Sequence, residues 1–330
     1  MIKTWASRYE ITPLTTIGAI AELEPRKGAI LKVQWPNGKT GYADLHPWPE
    51  LGDFDLDVQL DAISRGKLTC PAEQTIWMAK RDAILRSEKK SAFQGLPKVK
   101  NHYLITDFTK VGEAVIREIK ESGFTAVKIK VGRSTEDEVK FISRLVRQSP
   151  LQVRLDFNSK STYDKFAKFM SLLSPGEKKR IEYIEDPFPW DEKAWMEASK
   201  LAPLAVDAEA NNIDWKQLKI TPFKVMVIKP ARQDLDQAVE RVNKFALKMV
   251  ITSSLDHPIG IAHASYVAGE LKRVYPNVLL DCGCLTVRSY QPNEFSTKMM
   301  IQGPYLNNIP GTGVGFDDLL AKLDWQPLHV

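Results

Sequence analysis

The chain has 330 residues, of which 43% are hydrophobic and 26% charged, and its formal net charge is +5. The lysines and arginines are dispersed along the sequence rather than gathered into a stripe, which disfavours a nucleic-acid-binding protein. No stretch approaches 18 consecutive apolar residues, so no membrane span is predicted. Three cysteines and a start without an apolar run predict a reducing, cytoplasmic location.

The first hundred residues predict a small α+β domain. Residues 29–35 alternate like a strand, 36–39 read Pro-Asn-Gly-Lys, and 41–44 resume the strand pattern, so we expect a β-hairpin. Helical patterns follow from about residue 56 to residue 91. Strands followed by helices are typical of an α+β domain. We assign residues 1–98 to this domain and expect residues 303–330 to pack back against it.

After about residue 100, β-like runs alternate with helical segments, which indicates an α/β fold. We count eight such runs: 102–106, 126–131, 152–157, 181–186, 204–208, 224–229, 249–253 and 278–281. Eight strands with helical crossovers are typical of a (β/α) barrel, here over residues 99–302. An open, doubly wound sheet is the alternative, but no Gly-x-Gly-x-x-Gly follows the first run.

Ionisable residues recur at the ends of consecutive predicted strands. Lys130 ends the second run, and Asp156, Glu185, Asp207 and Lys229 follow at intervals of 22 to 29 residues. Because a barrel gathers the carboxyl ends of its strands at one mouth, we expect these five side chains to form a cluster.

Three of these residues are acids and are candidate metal ligands. Three neighbouring carboxylates repel one another unless a cation neutralises them. All-oxygen ligation favours Mg²⁺, with Mn²⁺ as the alternative. Asp156, Glu185 and Asp207 are the predicted ligands, although Glu209 shares a strand face with Asp207 and could take its place.

The lysines are candidates for proton transfer. Lys128 and Lys130 are two residues apart in a strand, so both point to the same face. Lysines inside a barrel are costly unless paired or functional, although they can also reach past a rim into water. With Lys229 across the mouth, this set could abstract a proton α to a carboxylate, because a divalent cation offsets the charge that develops. A lysine base must be neutral, and burial beside other cations would lower its pKa.

Five motifs, in this order, resemble the enolase superfamily and in particular its muconate-cycloisomerase-like branch. They are Lys128-Ile129-Lys130, Asp156-Phe157-Asn158, Glu185-Asp186-Pro187, Asp207 and Lys229-Pro230. The resemblance implies a (β/α)7β modified TIM barrel with an N-terminal α+β capping domain. The pairing of a lysine base with Mg²⁺ is a known arrangement of enolase-type sites.

Within that branch the chain is similar to the o-succinylbenzoate synthase family. The similarity rests on residues 41–47, Gly-Tyr-Ala-Asp-Leu-His-Pro, and on residues 154–158, Arg-Leu-Asp-Phe-Asn. It implies Mg²⁺-dependent dehydration of 2-succinyl-6-hydroxycyclohexadiene-1-carboxylate in menaquinone biosynthesis.

The resemblance also implies roles for single residues. Lys130 would take the α proton, Lys229 would stabilise the enediolate across the ring, and Lys128 would tune Lys130 and contact the substrate carboxylate. The implied substrate-binding residues are Arg154, Asn158, Thr252, Ser254 and Gly283, the last three for the succinyl tail. The loops near residues 12–28 and 44–54 would close over the mouth.

Two other functions stay open. An N-succinylamino acid racemase or related epimerase would use the same metal with Lys130 and Lys229 as opposed bases. Dipeptide epimerases of this branch typically carry Asp-x-Asp after the eighth strand, where this chain has Asp281-Cys282-Gly283. The third possible function is a non-catalytic barrel that binds a ligand or nucleic acid. Such a barrel has no reason to keep five ionisable groups at one mouth.

The expected partner is a small-molecule carboxylate, without nucleic acid or membrane, and the oligomeric state, monomer or homo-oligomer, stays open. No histidine falls at a strand end that suits a base, and we expect His257 and His263 to be structural or surface residues.

Overall fold

A computed structural model describes residues 2–14 and 24–328 of the chain. The strands in this part of the chain are β1 Lys3–Ile11, β2 Arg26–Gln34, β3 Thr40–Leu45, β4 Tyr103–Ile105, β5 Ala126–Lys130, β6 Gln152–Asp156, β7 Ile181–Glu185, β8 Leu204–Val206, β9 Val225–Ile228, β10 Lys248–Ile251, β11 Ile301–Gln302, β12 Tyr305–Leu306 and β13 Gln326–Leu328. The α-helices are α1 Leu56–Ser64, α2 Cys70–Ser87, α3 Glu113–Glu121, α4 Thr135–Gln148, α5 Tyr163–Leu172, α6 Pro175–Lys178, α7 Glu192–Ala198, α8 Leu235–Lys244, α9 Pro258–Val274, α10 Glu294–Lys298 and α11 Asp317–Leu320.

The N-terminal domain is an antiparallel sheet in the order β13-β1-β2-β3, with α1 and α2 packed on it. The predicted hairpin is confirmed, since β2 pairs with β3 and the backbone N–H of Trp35 bonds the carbonyl of Lys39 at 2.9 Å. Leu31 and Leu45 are fully buried against the helices. The last strand, β13, pairs with β1, so the C-terminal segment returns to this sheet.

A second sheet of seven parallel strands forms most of a barrel. Its order is β10-β9-β8-β7-β6-β5-β4, so each strand lies beside its neighbour in sequence. This order is that of a barrel and not of a doubly wound sheet, which confirms the predicted fold class.

The predicted eighth strand, residues 278–281, is wrong as a regular strand. The segment instead makes isolated bridges to both edges of the sheet, with Leu279 opposite Met249 and Cys282 opposite Asn101. Along the β10 edge its register slips by one residue, because Leu279 pairs with Met249 but Gly283 pairs with Thr252, so no continuous ladder forms there. We call residues 278–284 the closing segment, because they close the barrel.

Strand alternation separates two buried layers in the barrel. Outward-facing residues such as Val127 and Leu155 belong to the large apolar layer between sheet and helices. Inward-facing Tyr183, Val227 and Val250 form a smaller cluster inside the barrel. Side chains therefore fill the interior of the barrel below its mouth.

Local signals explain some of the helix ends. Asp234 is the N-cap of α8, because its carboxylate accepts the N–H of Gln237 at 2.9 Å. His257 caps α9 in a similar way, and its Nδ1 accepts the N–H of Ile259. Across residues 2–14 and 24–328, none of the helices combines the length and apolar character that a bilayer span needs.

The two loops expected to cover the mouth differ in how much can be described. Residues 15–23, the main part of the first loop, lie outside the described residues. The second loop, residues 44–54, is joined to the barrel. Asp53 accepts two hydrogen bonds from Arg232, at 2.6 and 3.0 Å, and Trp48 Nε1 donates to the carbonyl of Ser254 at 3.0 Å.

Candidate active site

A cavity that is partly open to solvent lies at the carboxyl ends of the barrel strands. Most of the residues singled out from the sequence line it: Lys128, Lys130, Asp156, Asn158, Asp207, Lys229, Thr252, Ser254 and Gly283. Trp48 and Leu51 of the capping domain complete the wall. The ends of the barrel strands thus bring distant parts of the sequence to one cavity.

Lys128 lies between two of the predicted metal ligands. Its Nζ is 2.6 and 2.7 Å from the carboxylate oxygens of Glu185 and 3.1 Å from Asp156. The two acids are opposite each other on β6 and β7, so they are immediate neighbours. Burial disfavours the ammonium, but Asp156 and Glu185 outweigh it and hold the pKa of Lys128 well above its usual range. Glu185 is fully buried below this ammonium and does not reach the cavity wall.

The third predicted ligand, Asp207, contacts a different lysine from the other two acids, although its charge adds to burial and Asp156 in raising the pKa of Glu185. Glu185 pairs with Ala205 on β8, so Asp207 is one pleat further along. Its carboxylate forms an ion pair with Lys229. Within the described ranges, no three Asp, Glu, His or Cys side chains form a group that could hold a metal ion. In this arrangement two of the acids contact Lys128 and the third pairs with Lys229, and a metal site built on all three acids stays a prediction.

Lys130 is buried at the cavity wall and has weaker partners than Lys128. Its Nζ is 3.4 Å from the side-chain oxygen of Asn158. Burial, together with the nearby Lys128 and Lys229, lowers the pKa of Lys130 to about 8, against the opposing effect of Asp156. An amine with such a pKa has a neutral fraction near physiological pH and can act as a base.

The wall across from the acids is formed by the end of β10 and by the closing segment. Thr252 and Ser254 follow β10, and Gly283 bridges to Thr252. A Cβ atom on Gly283 would lie 2.8 Å from Thr252 Cγ2 and 2.6 Å from Cε1 of His102. Only glycine therefore allows these side chains to approach the backbone this closely.

Comparison with known proteins identifies the family. Residues 4–85 match the family described as O-succinylbenzoate synthase, N-terminal domain, and residues 110–219 match Enolase C-terminal domain-like. A relative named o-succinylbenzoate synthase, from Bdellovibrio bacteriovorus, is 44% identical over 330 residues, which is 100% of both chains. The chain belongs to the o-succinylbenzoate synthase family. It is therefore an enzyme of the enolase superfamily and of the lyase class.

Solved structures of the superfamily share the fold. A muconate lactonizing enzyme from Mucobacterium Smegmatis is 17% identical with a TM-score of 0.76, and the match covers 97% of this chain and 98% of that one. A dipeptide epimerase from Enterococcus faecalis, complexed with Mg and the dipeptide L-Leu-L-Tyr, is 16% identical with a TM-score of 0.76, covering 95% and 98%. At these identities the likeness establishes the capped barrel alone.

In this family member the geometry separates Asp207 from Glu209. The Glu209 carboxylate accepts hydrogen bonds from the Ser159 hydroxyl at 2.6 Å, the Trp190 N–H at 2.8 Å and the Asn212 amide at 2.8 Å. Glu209 thus holds three loop segments together and does not line the cavity, whereas Asp207 does. The arrangement favours Asp207 as the acid that faces a ligand.

Asp186 positions the turn that carries Asp207, a role that strand-end spacing did not predict. Its carboxylate accepts the backbone N–H groups of Asp207 at 2.9 Å, Ala208 at 2.8 Å and Glu209 at 3.3 Å. Its own φ is 40°, in the left-handed region that non-glycine residues seldom adopt. The sequence signal was present in the Glu185-Asp186-Pro187 motif, but only the folded structure gives its partners.

Arg154 departs from its expected place among the substrate contacts. It is fully buried one pleat below Asp156 and does not line the cavity. Its Nε donates to Glu182 at 2.6 Å, and its Nη1 donates to His102 Nδ1 at 2.8 Å and to the Asp281 carbonyl at 2.6 Å. These partners fix the guanidinium inside the barrel.

His102 is a cavity residue that sequence reasoning missed. It precedes β4 instead of ending a strand, so the strand-end pattern could not find it. His257 and His263 are both buried and make local contacts around α9, which agrees with a structural role and not with a surface position.

Proposed function

We propose that the chain catalyses the Mg²⁺-dependent dehydration of 2-succinyl-6-hydroxycyclohexadiene-1-carboxylate to o-succinylbenzoate, a step of menaquinone biosynthesis. Full-length similarity to a relative named o-succinylbenzoate synthase supports the reaction. The observation in the structure that carries the proposal is Lys130, a buried amine with a lowered pKa in the same cavity as Asp156, Asp207 and Lys229.

The donor chemistry of the cavity fits a hard divalent cation. Asp156 and Glu185 already hold one cationic group between them, the Lys128 ammonium, and Asp207 is within the same cavity. Carboxylate oxygens are the ligands that Mg²⁺ prefers. These three acids would hold the ion, which when bound supplies positive charge to the substrate carboxylate as its α proton leaves.

The lysines would move the proton. Lys130 takes the proton from the carbon α to the carboxylate, and the electron pair moves toward that carboxylate. The Lys229 ammonium, on the other side of the mouth, stabilises the negative charge that develops. The carbon–oxygen bond of the ring hydroxyl then breaks, the Lys130 ammonium returns its proton to the leaving hydroxide, and water and an aromatic ring result. Lys130 thus serves first as base and then as acid on one face of the ring.

The opposite wall would hold the side chain of the substrate. When the ring carboxylate of the substrate binds near the acids of β6 to β8, the rest of the substrate extends toward Thr252, Ser254 and Gly283. We expect the succinyl group to lie there, with Asn158 near the ring beside Lys130.

Racemisation of N-succinylamino acids is the second candidate. The observation that favours it is that Lys130 and Lys229 line the same cavity and could act on opposite faces of one carbon. A dipeptide epimerase is less well supported, because the side chain of Asp281 bonds Thr125 and Gly283 stands where a second acid would hold an amine.

The two functions can be tested side by side with the purified full chain. Formation of o-succinylbenzoate would be followed by absorbance with Mg²⁺, with excess chelator, and after Mg²⁺ is restored. Racemisation of N-succinylamino acids would be followed by polarimetry in the same buffers. We expect chelator-sensitive dehydration that exceeds racemisation. Racemisation without dehydration would assign the second candidate, and a folded protein with neither activity would contradict both.

A further inference from the structure

His102 occupies the cavity wall between the two edges that close the barrel. Its backbone N–H bonds the carbonyl of Cys282 at 2.8 Å, which joins it to the closing segment. Its ring lies against Gly283 and beside Thr252. The acids of β6 to β8 are on the other side of the mouth. If a ligand is bound by those acids at one end, His102 faces its other end.

Arg154 determines which nitrogen of His102 carries hydrogen. A guanidinium has only donors, so the contact of 2.8 Å between Arg154 Nη1 and His102 Nδ1 requires Nδ1 to accept. Burial, together with the charges of Arg154 and Lys128, holds the pKa of His102 well below its usual range, so the ring is neutral. In a neutral imidazole whose Nδ1 accepts, Nε2 carries the hydrogen.

The Nε2 edge of the His102 ring lies beside Gly283, which has no side chain to cover it. A Cβ atom at position 283 would approach Cε1 to 2.6 Å and Nε2 to 2.8 Å, so any larger residue would displace the ring or cover this edge. Among residues 2–14 and 24–328, the side-chain hydrogen bond of His102 is made at Nδ1, and no protein acceptor is assigned to Nε2. Because His102 lines the cavity, a ligand there can supply the acceptor for Nε2.

We propose that His102 is a substrate-binding residue whose neutral Nε2–H donates a hydrogen bond to the ketone oxygen of the succinyl side chain, and that Arg154 is the residue that positions it. This inference rests on the proposed function, because it concerns the side chain of that substrate. A neutral donor in a buried wall suits an uncharged carbonyl oxygen, whereas an ionised carboxylate is better matched by a cation. The same wall carries Thr252 and Gly283, so the ketone would lie close to the barrel closure.

Two substitutions separate the ligand contact from the contact with Arg154. In His102→Asn the amide oxygen can replace Nδ1 as the acceptor for Arg154, but the side chain is too short to place a donor at Nε2. In His102→Gln the amide nitrogen can reach the Nε2 position. The pair therefore keeps the region polar and changes mainly the donor that faces the cavity.

The first experiment measures binding of two ligands by titration calorimetry in the presence of Mg²⁺. One is o-succinylbenzoate, and the other is its analogue with CH₂ in place of the ketone. We expect His102→Asn to weaken binding of o-succinylbenzoate about tenfold and to leave binding of the analogue within about twofold. His102→Gln should recover part of the loss. Equal weakening of both ligands, or no change in either, would overturn the proposal.

The second experiment does not depend on the substrate. Nitrogen-15 NMR of labelled wild-type protein should show His102 with hydrogen on Nε2 and none on Nδ1 from pH 6 to 8. In a folded Arg154→Met variant, His102 should lose its preference for carrying hydrogen on Nε2. Hydrogen on Nδ1 in the wild type would overturn the proposal even if that variant is unstable.

Failure of this inference is distinguishable from failure of the proposed function. A wild-type protein that forms and binds o-succinylbenzoate, combined with an unaffected His102→Asn, contradicts the role of His102 alone. A folded wild type that neither forms nor binds o-succinylbenzoate contradicts the proposed function itself.

Discussion

Lys128 and Lys130 share one strand face, yet their surroundings give the two amines opposite acid–base properties. Lys128 contacts both Asp156 and Glu185, which keep its ammonium charged. Among the described residues, Lys130 Nζ has its hydrogen bond with the neutral Asn158 amide, and burial lowers the pKa of Lys130 to about 8. Groups whose environments push their pKa values apart can divide the roles of charge stabiliser and base.

This difference predicts that Lys130→Ala removes the reaction and keeps the fold. We expect the turnover number to fall by about 10³-fold or more, because a positioned general base contributes on that order. Circular dichroism and thermal unfolding should match the wild type closely. The exposed Lys165→Ala on α5 is the control and should retain full turnover. Wild-type turnover in Lys130→Ala would remove the proposed mechanism.

A second prediction concerns Glu185. Glu185→Gln keeps the shape of the side chain but removes its charge, so we expect Mg²⁺ affinity to fall at least about tenfold in calorimetric titration. Glu197→Gln, on the exposed face of α7, is the matched control and should titrate like the wild type. An unchanged titration in Glu185→Gln would exclude this residue as a ligand.

For single residues, the sequence predicted the functional side chains at strand ends. It missed the residues that hold those side chains in position or lie beside them. Asp156, Asp207 and Lys229 reach the cavity because barrel topology carries strand ends there. Asp186 and His102 depend on partners from other strands, and no spacing rule describes those contacts. The position of Arg154 one layer lower follows from strand alternation, but its three acceptors are a property of the packed interior.

At the scale of elements, strands were predictable where the pattern was local. The β2–β3 hairpin has its own turn signal, and the barrel strands β5 and β6 alternate apolar and charged residues and end in a charge. Strand β13 has only three residues, including Pro327, and it exists because β1 offers an edge to pair with. The eighth barrel strand was misjudged for the converse reason: its apolar run is present, but its register against the β10 edge slips by one residue.

The packing of the hairpin on α2 gives a prediction at this scale. A Cβ atom on Gly41 would lie 2.0 Å from the carbonyl oxygen of Ala79 and 2.6 Å from the backbone N of Ala83. The helix backbone must shift to admit it, so we expect Gly41→Ala to lower the free energy of unfolding by about 1–3 kcal/mol. Urea denaturation would measure this.

The control for that experiment is Gly176→Ala in α6. An added Cβ there meets only the Ser174 hydroxyl, at 4.0 Å, and alanine suits a helix. We expect its free energy of unfolding to stay close to that of the wild type. Equal effects of the two substitutions would mean that close packing on α2 is not the reason for glycine at position 41.

At the scale of the whole molecule, the capping domain and the barrel meet around two buried acids. Asp44 of β3 accepts the Tyr9 hydroxyl at 2.6 Å and the backbone N–H of His257 at 3.0 Å. Asp256 lies beside it, and burial raises the pKa of Asp256 to about 7. Burial and Asp256 raise the pKa of Asp44 as well. The acids thus favour a protonated form at the domain boundary.

This arrangement predicts how stability depends on pH. The folded pKa of Asp256 is above its unfolded value, so the folded protein binds the extra proton and stability falls as pH rises from about 4 to about 7. Asp256→Asn should remove this contribution and make the protein more stable than the wild type by about 1–3 kcal/mol at pH 8. The difference between the two proteins should shrink toward pH 5.

Urea denaturation at pH 5, 6, 7 and 8 would measure that difference. Asp236→Asn on the exposed part of α8 is the control, and its profile should follow the wild type. A constant difference between Asp256→Asn and the wild type across this range would contradict the titration of Asp256.

The closure of the barrel separates the groups proposed for proton transfer from the wall proposed to contact the substrate side chain. The lysines and acids lie on strands that follow one another in sequence, so reactivity is assembled from neighbouring units. The wall with His102 and Gly283 depends on contacts such as that of Asn101 with Cys284, 183 residues apart. Under the proposed function, selectivity for the substrate side chain would therefore depend on the joined ends of the sheet. Substitutions in the closing segment and its neighbours could then change which substrates bind, while the proton-transfer groups stay in place.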